Sequence, residues 1–179
     1  YVENINFNGK NIALIGADRE TTIIDGGGNH SVVTFENGEN SNSLLSKLTI
    51  RNGKITGVSG QSGQVLAYGG GIYINNSSPQ INQCNILNNR VEVWSAYGGG
   101  IHIRGISSQP LIVNCEIINN FAFNWGGGIF IESDASPTIE NSIIYNNSFE
   151  NDGGAGIYAY NSGIITIKNS IIYQNLNSL

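Results

Sequence analysis

Methionine is absent from the 179 residues, proline occurs three times and cysteine twice, and only eight residues are basic. Each shortage removes a class of explanation. With eight Lys and Arg against thirteen Asp and Glu, the net charge of −5 leaves no basic surface to offset phosphates, which excludes nucleic acid as a partner. No apolar run approaches the roughly 20 residues a membrane-spanning helix needs. Cys84 and Cys115 form no Cys-x-x-Cys and have no histidine cluster nearby, so a zinc site is not expected. A Gly-x-Ser-x-Gly elbow is missing as well. So is any sustained 3.6-residue periodicity, so the Gly triplets cannot be phosphate loops leading into a helix. No metal or cofactor is expected. The chain opens on Tyr1 rather than Met, so it is read as a processed product or a piece of a longer protein, without a signal peptide to interpret.

What is present is repetition. Gly69-Gly-Gly-Ile-Tyr-Ile74, Gly98-Gly-Gly-Ile-His-Ile103 and Gly126-Gly-Gly-Ile-Phe-Ile131 are followed by a looser copy, Gly153-Gly-Ala-Gly-Ile-Tyr158. Their isoleucines Ile72, Ile101, Ile129 and Ile157 recur every 28 or 29 residues. A fixed period of this length marks a stacked repeat protein, because one short strand and its glycines cannot bury an apolar face alone. In the same register Cys84, Cys115, Ser142 and Ser170 each follow an isoleucine by three residues. Next comes an amide step, Asn88-Asn89, Asn119-Asn120, Asn146-Asn147 and Gln174-Asn175. Each unit therefore reads as a Gly-led strand, a turn marked by Pro79, Pro110 or Pro137, a second strand, an Asn-marked turn and a variable loop.

Alternation in Ile72-Tyr73-Ile74 and Ile165-Thr166-Ile167 has the period of two that belongs to strands. The unit is too short for a propeller blade and lacks helix-forming runs, which leaves successive coils of one parallel solenoid with equivalent positions about 4.8 Å apart. Composition agrees with this. With 28 Ile and 27 Asn, one residue type suits an inward β-branched ladder. The other suits turns with left-handed backbone, and its side-chain amides can bond from rung to rung. The glycines before each Ile are expected at sharp bends or positive φ. Cys84 and Cys115 align one rung apart with parallel side-chain directions, a poor geometry for a disulfide. They are read as stacked, buried small residues.

Residues 1–68 carry a degenerate form of the same unit in Asn11–Gly16, Thr22–Gly26, Ser31–Phe35 and Leu48–Asn52, with a Gly, Ser and Gln-rich insertion at 53–67; residues 69–179 are the regular repeats. The expected fold is all-β, a single right-handed parallel β-helix of about six rungs over 1–179. Thr22-Ile-Ile-Asp-Gly-Gly-Gly28, Leu48-Thr-Ile-Arg-Asn-Gly53 and the GGGI copies resemble the parallel β-helix repeats of the pectin-lyase-like superfamily. The similarity is greatest to the GGGI and Asn-rich repeats of secreted and cell-surface proteins. That resemblance implies the right-handed β-helix and an extracellular or cell-surface location. It is weak for activity, since the superfamily holds lyases, hydrolases, adhesins and inert stalks.

The candidate chemistry is sparse. Carboxylates are scattered over different positions of the unit, including Asp25, Glu36, Glu92, Glu116, Glu132, Asp134, Glu140 and Asp152. Arg104 aligns with Glu132, and Glu140 with Lys168, as exposed cross-rung ion pairs worth up to about 1 kcal/mol. Asp25 with Glu36, or Glu132 with Asp134, are the pairs close enough in sequence to consider for glycoside hydrolysis, but nothing singles them out, and His30 and His102 lack a recurring acidic partner. Aromatic placement stands above background. Tyr73, His102, Phe130 and Tyr158 share the outward position between inward isoleucines, and Tyr68, Tyr97 and Trp125 form a second column before the glycines. Such columns either stack against sugar rings or a partner, or simply stabilise neighbouring strands and pack beneath loops. The function expected is a non-catalytic extracellular structural or adhesive module that binds carbohydrate or a partner. The alternatives are a filament subunit stacking end to end with copies of itself or with the remainder of a larger surface protein, and a polysaccharide lyase or glycoside hydrolase.

Overall fold

The computed structural model describes residues 1–56, 67–94, 96–151 and 153–178, and contains strands, turns and bends without a helix among them. Most of the insertion at 53–67, along with Asp152, lies outside the described residues. Alternation of apolar and polar residues drives the chain into short parallel strands that close one coil roughly every 28 residues. The front sheet consists of Ile5–Asn6, Val33–Phe35, Ile72–Asn75, Ile101–Arg104, Ile129–Glu132 and Ile157–Tyr160. A second sheet of six strands runs from Ala13–Ile15 to Thr166–Lys168, and a third from Ile23–Asp25 to Ile171–Tyr173. A fourth, of two-residue strands, runs from Lys54–Ile55 to Leu176–Asn177, so the first residues of the expected insertion are part of the ladder. The result is an all-β parallel solenoid of about six turns.

Register is strict. Ile72 pairs with Ile101, Ile101 with Ile129 and Ile129 with Ile157, while Ile81, Ile112, Ile139 and Ile167 stack in the second sheet. Ile74, Ile103 and Ile131 from the front, with Ile86, Ile117 and Ile144 from the third sheet, complete a fully buried interior. Cys84 and Cys115 are free thiols within that interior, one rung apart. Ser142 continues their column, and its hydroxyl oxygen accepts from the Cys115 N–H at 3.1 Å.

The second strand expected in each unit is in fact two. Lys47, Gln83, Asn114, Asn141 and Asn169 have φ between 47° and 55°, and this one-residue left-handed corner turns the chain from the second sheet to the third. Amide and other flexible side chains tolerate that region at modest cost. Glycine is demanded by the backbone itself at two points of each triplet. Gly98 has φ of 64°, and a Cβ on Gly100 would stand 2.6 Å from the carbonyl oxygen of Gly128 in the next rung.

The second Asn of each amide step turns inward. Asn120 Oδ1 accepts from both the backbone N–H and the side-chain amide of Asn89, each at 3.0 Å. Its own amide donates to Ile86 O at 2.9 Å and Asn147 Oδ1 at 3.0 Å. Asn147 repeats the pattern onto Asn175, and Gly53 N–H donates to Asn89 Oδ1 at the other end. Asn89, Asn120 and Asn147 are fully buried, so each amide satisfies its neighbours where water cannot. The sixth rung differs, because Ile167 and Ile172, stacked on fully buried Ile139 and Ile144, are each 44% exposed.

Replacing Asn120 by Ala leaves the buried backbone N–H of Asn89 without its acceptor and is expected to cost about 3 kcal/mol. Replacing exposed Asn88 (φ 57°) by Gly keeps the same turn and should stay within about 1 kcal/mol. Denaturant unfolding of both variants measures the contrast.

A roofed aromatic face as the candidate functional site

The front sheet's inward positions are apolar, mostly isoleucine with Val33, Phe35 and Ala159 in the same files, so the residue between each pair points away from the interior. Thr34, Tyr73, His102, Phe130 and Tyr158 pair in register along five strands. The second column arises independently. Ala67–Tyr68 and Ala96–Tyr97 form a small parallel sheet that a bridge from Tyr97 extends to Trp125, and it lies over the first column. Tyr68 stacks on Tyr73 with ring centroids 5.1 Å apart and planes 9° apart. Tyr97 packs against Phe130 at 4.9 Å and His102 at 5.6 Å, and stacks on Trp125 at 5.2 Å.

The consequence corrects the expected open column. Tyr73 is 9% exposed, Phe130 2% and His102 0%, because the second column roofs the first. Tyr68, Tyr97, Trp125 and Tyr158 keep partial exposure and are the rings a ligand could reach. Burial pushes the Tyr73 phenol up to about 12, so it remains a neutral donor and acceptor. Trp94, from a variable loop, is 75% exposed and contacts Phe123 edge-on.

His102 has the acidic partner that sequence spacing did not reveal. Its Nε2 lies 3.1 Å from Glu132 Oε1, one rung along and two residues beyond its register partner Phe130. Against a carboxylate, Nε2 carries the proton and donates, leaving Nδ1 buried with no hydrogen-bond partner among the described residues. Burial holds the imidazole below its ordinary pKa, outweighing the pull of Glu132 in the other direction. The contact is therefore a hydrogen bond from a neutral ring. The aligned Arg104 joins the same carboxylate, Nε to Oε1 at 3.6 Å, and lays its guanidinium over Tyr68 at 5.0 Å. Burial of Glu132 pushes its carboxyl up, but the His102 bond and the Arg104 charge outweigh it and keep the group ionised.

Two cavities open along this face. The N-terminal one, about 480 Å³, is lined among others by Asn4, Asn6, Asn29, His30, Thr34, Glu36, Lys54, Tyr68 and Tyr73. The C-terminal one, about 330 Å³, is lined by Tyr97, Trp125, Phe130, Glu132, Tyr158 and Tyr160.

Three of the remaining candidate carboxylates, Asp25, Glu36 and Glu140, have side-chain partners. Asp25 accepts from Gly27 N–H at 3.0 Å, Arg51 at 2.9 Å and Asn52 at 2.8 Å, which fixes a turn. Glu36 takes the Asn6 amide at 2.9 Å. Asp134 sits exposed in a left-handed turn, and Lys168 meets Glu140 at 3.1 Å as aligned. Among the described residues no group of three or more His, Cys, Asp or Glu is placed to hold a metal ion.

The lowered His102 pKa makes stability pH-dependent. The unfolded chain takes up a proton here below about pH 6.5, while the folded chain refuses it. The contribution is thus fully present above that value and is lost as pH falls. Thermal midpoints should drop between about pH 7.5 and pH 5.5, and His102→Gln, which keeps a donor toward Glu132, should flatten that slope. Parallel profiles would show that His102 is not the titrating group.

Residues 6–178 match the family model described as the right-handed β-helix region. No curated protein and no solved structure matches the chain. A match across nearly the whole length, on a parallel solenoid whose isoleucines line the interior, places this chain in the right-handed β-helix family.

Proposed function

We propose that this domain is a non-catalytic carbohydrate-binding module of an exported or cell-surface protein, with the glycan lying along the front face. The observation that carries this is the continuity of that face. A cavity with the amide side chains of Asn4, Asn6 and Asn29 in its wall and a pocket of accessible aromatic rings lie along one sheet. Six in-register strands span about 24 Å at 4.8 Å per step. Rings offer flat apolar surfaces for sugar faces, and amides offer paired donors and acceptors for hydroxyls.

The carboxylates favour binding over hydrolysis. Among the described residues, Glu36 is the only carboxylate lining the N-terminal cavity and Glu132 the only one lining the aromatic pocket. Their strands are three steps apart, about 14 Å, beyond the roughly 5 to 10 Å that a hydrolytic pair requires.

A glycan array followed by calorimetry tests this. Trp125→Ala combined with Tyr158→Ala should weaken binding by at least about tenfold, the scale of one or two lost ring contacts, whereas Trp94→Ala should leave it unchanged. Binding that survives the double variant, or an array without a positive glycan, would refute it.

A further inference from the structure

We infer that the C-terminal pocket of the front face takes an alkylammonium cation, and, given the carbohydrate binding proposed above, that this cation is the free amine of an amino sugar. Among the described residues its lining is five aromatic rings and one carboxylate, Tyr97, Trp125, Phe130, Tyr158, Tyr160 and Glu132, without a cationic side chain. Ring faces carry negative quadrupole charge and attract a cation within about 6 Å, more strongly when water is excluded.

Glu132 is held ready for such a ligand. Its contacts with His102 and Arg104 both end on Oε1, which leaves Oε2 unclaimed among the described residues. Arg104 does not fill the pocket. Its guanidinium is drawn over Tyr68, whereas the strand on the pocket side places Tyr160 beside Glu132. Arg104 therefore orients the carboxylate from the far side.

Competing ligand chemistries fit less well. A uronate would set its carboxylate against Glu132 in a chain of net charge −5, which repels anions at long range as well as locally. A neutral pyranose could stack a C–H face on the rings but would bring no charge to the free Oε2 of Glu132. An ammonium needs only ring faces and one carboxylate, and both are present.

The test uses a Trp94→Phe background, so that Trp125 is the sole tryptophan of the two in the chain and its fluorescence reports the pocket. Tetramethylammonium chloride, compared with sodium chloride at equal ionic strength, should change that fluorescence saturably. Glu132→Gln keeps the shape and removes the charge, and should weaken the response by about tenfold. Tyr160→Ala, at a rim position 58% exposed where folding is not at stake, should weaken it several-fold. Glucosamine oligomers should compete with tetramethylammonium, N-acetylglucosamine oligomers poorly, and galacturonate oligomers not at all.

The two layers of the inference fail separately. If tetramethylammonium binds through Glu132 and no oligosaccharide binds anywhere, the cation site stands and the carbohydrate module falls. Oligosaccharides that bind with no preference for the free amine, unaffected by Glu132→Gln, would overturn the cation site and leave the carbohydrate module intact. The absence of any saturable response to either probe overturns the inference outright.

Discussion

The side-chain amides of Asn89, Asn120, Asn147 and Asn175 form a single hydrogen-bonded file inside the solenoid, in which Asn89, Asn120 and Asn147 each donate to the amide oxygen of the next rung. This file is the constraint on which the other features depend. Apolar burial alone would tolerate a coil that slipped by a residue or gained one in a loop, because isoleucine against isoleucine is nondirectional. A buried amide cannot slip, since a displaced neighbour would leave donors and acceptors unpaired where each costs about 1 to 3 kcal/mol. Variable loops of different lengths between the repeats are therefore absorbed without loss of register.

Register, in turn, makes the front face. Because Ile72, Ile101, Ile129 and Ile157 are locked opposite one another, the residues between the isoleucines fall into a file with no further instruction. The glycine triplets bring the chain back to the front sheet with backbones in contact, which leaves room for Tyr68, Tyr97 and Trp125 to fold over that file as a roof. What faces solvent is consequently the outer layer of a two-layer aromatic stack. The inner layer supports it and orients Glu132 through His102.

Much of this was legible in the sequence, for reasons that differ from residue to residue. The solenoid was legible because Ile72, Ile101 and Ile129 repeat with their glycines, and a short repeating strand has few other stable outcomes. The aligned pairs Arg104 with Glu132 and Glu140 with Lys168 were legible because equivalent positions in a parallel solenoid must touch. The single-residue corners at Gln83 and Asn114 were not, since one left-handed residue leaves no gap in an alternating pattern. The roof was missed because the two aromatic columns are separated by the glycines, and nothing in the spacing says that one lies upon the other. The bond from His102 to Glu132 runs diagonally between neighbouring strands, which an alignment of equivalent positions cannot display. Such a diagonal check, two residues ahead on the next repeat, would have found it.

The amide file can be observed directly by hydrogen exchange of asparagine side chains, followed by NMR. If it holds the coils in register, the side-chain NH₂ protons of Asn89, Asn120 and Asn147 exchange as slowly as the strand amides of Ile86, Ile117 and Ile144. Those of exposed Asn88 exchange at the rate of free solvent. Exchange at Asn120 as fast as at Asn88 would contradict the central claim, because the interior would then be held by isoleucine alone.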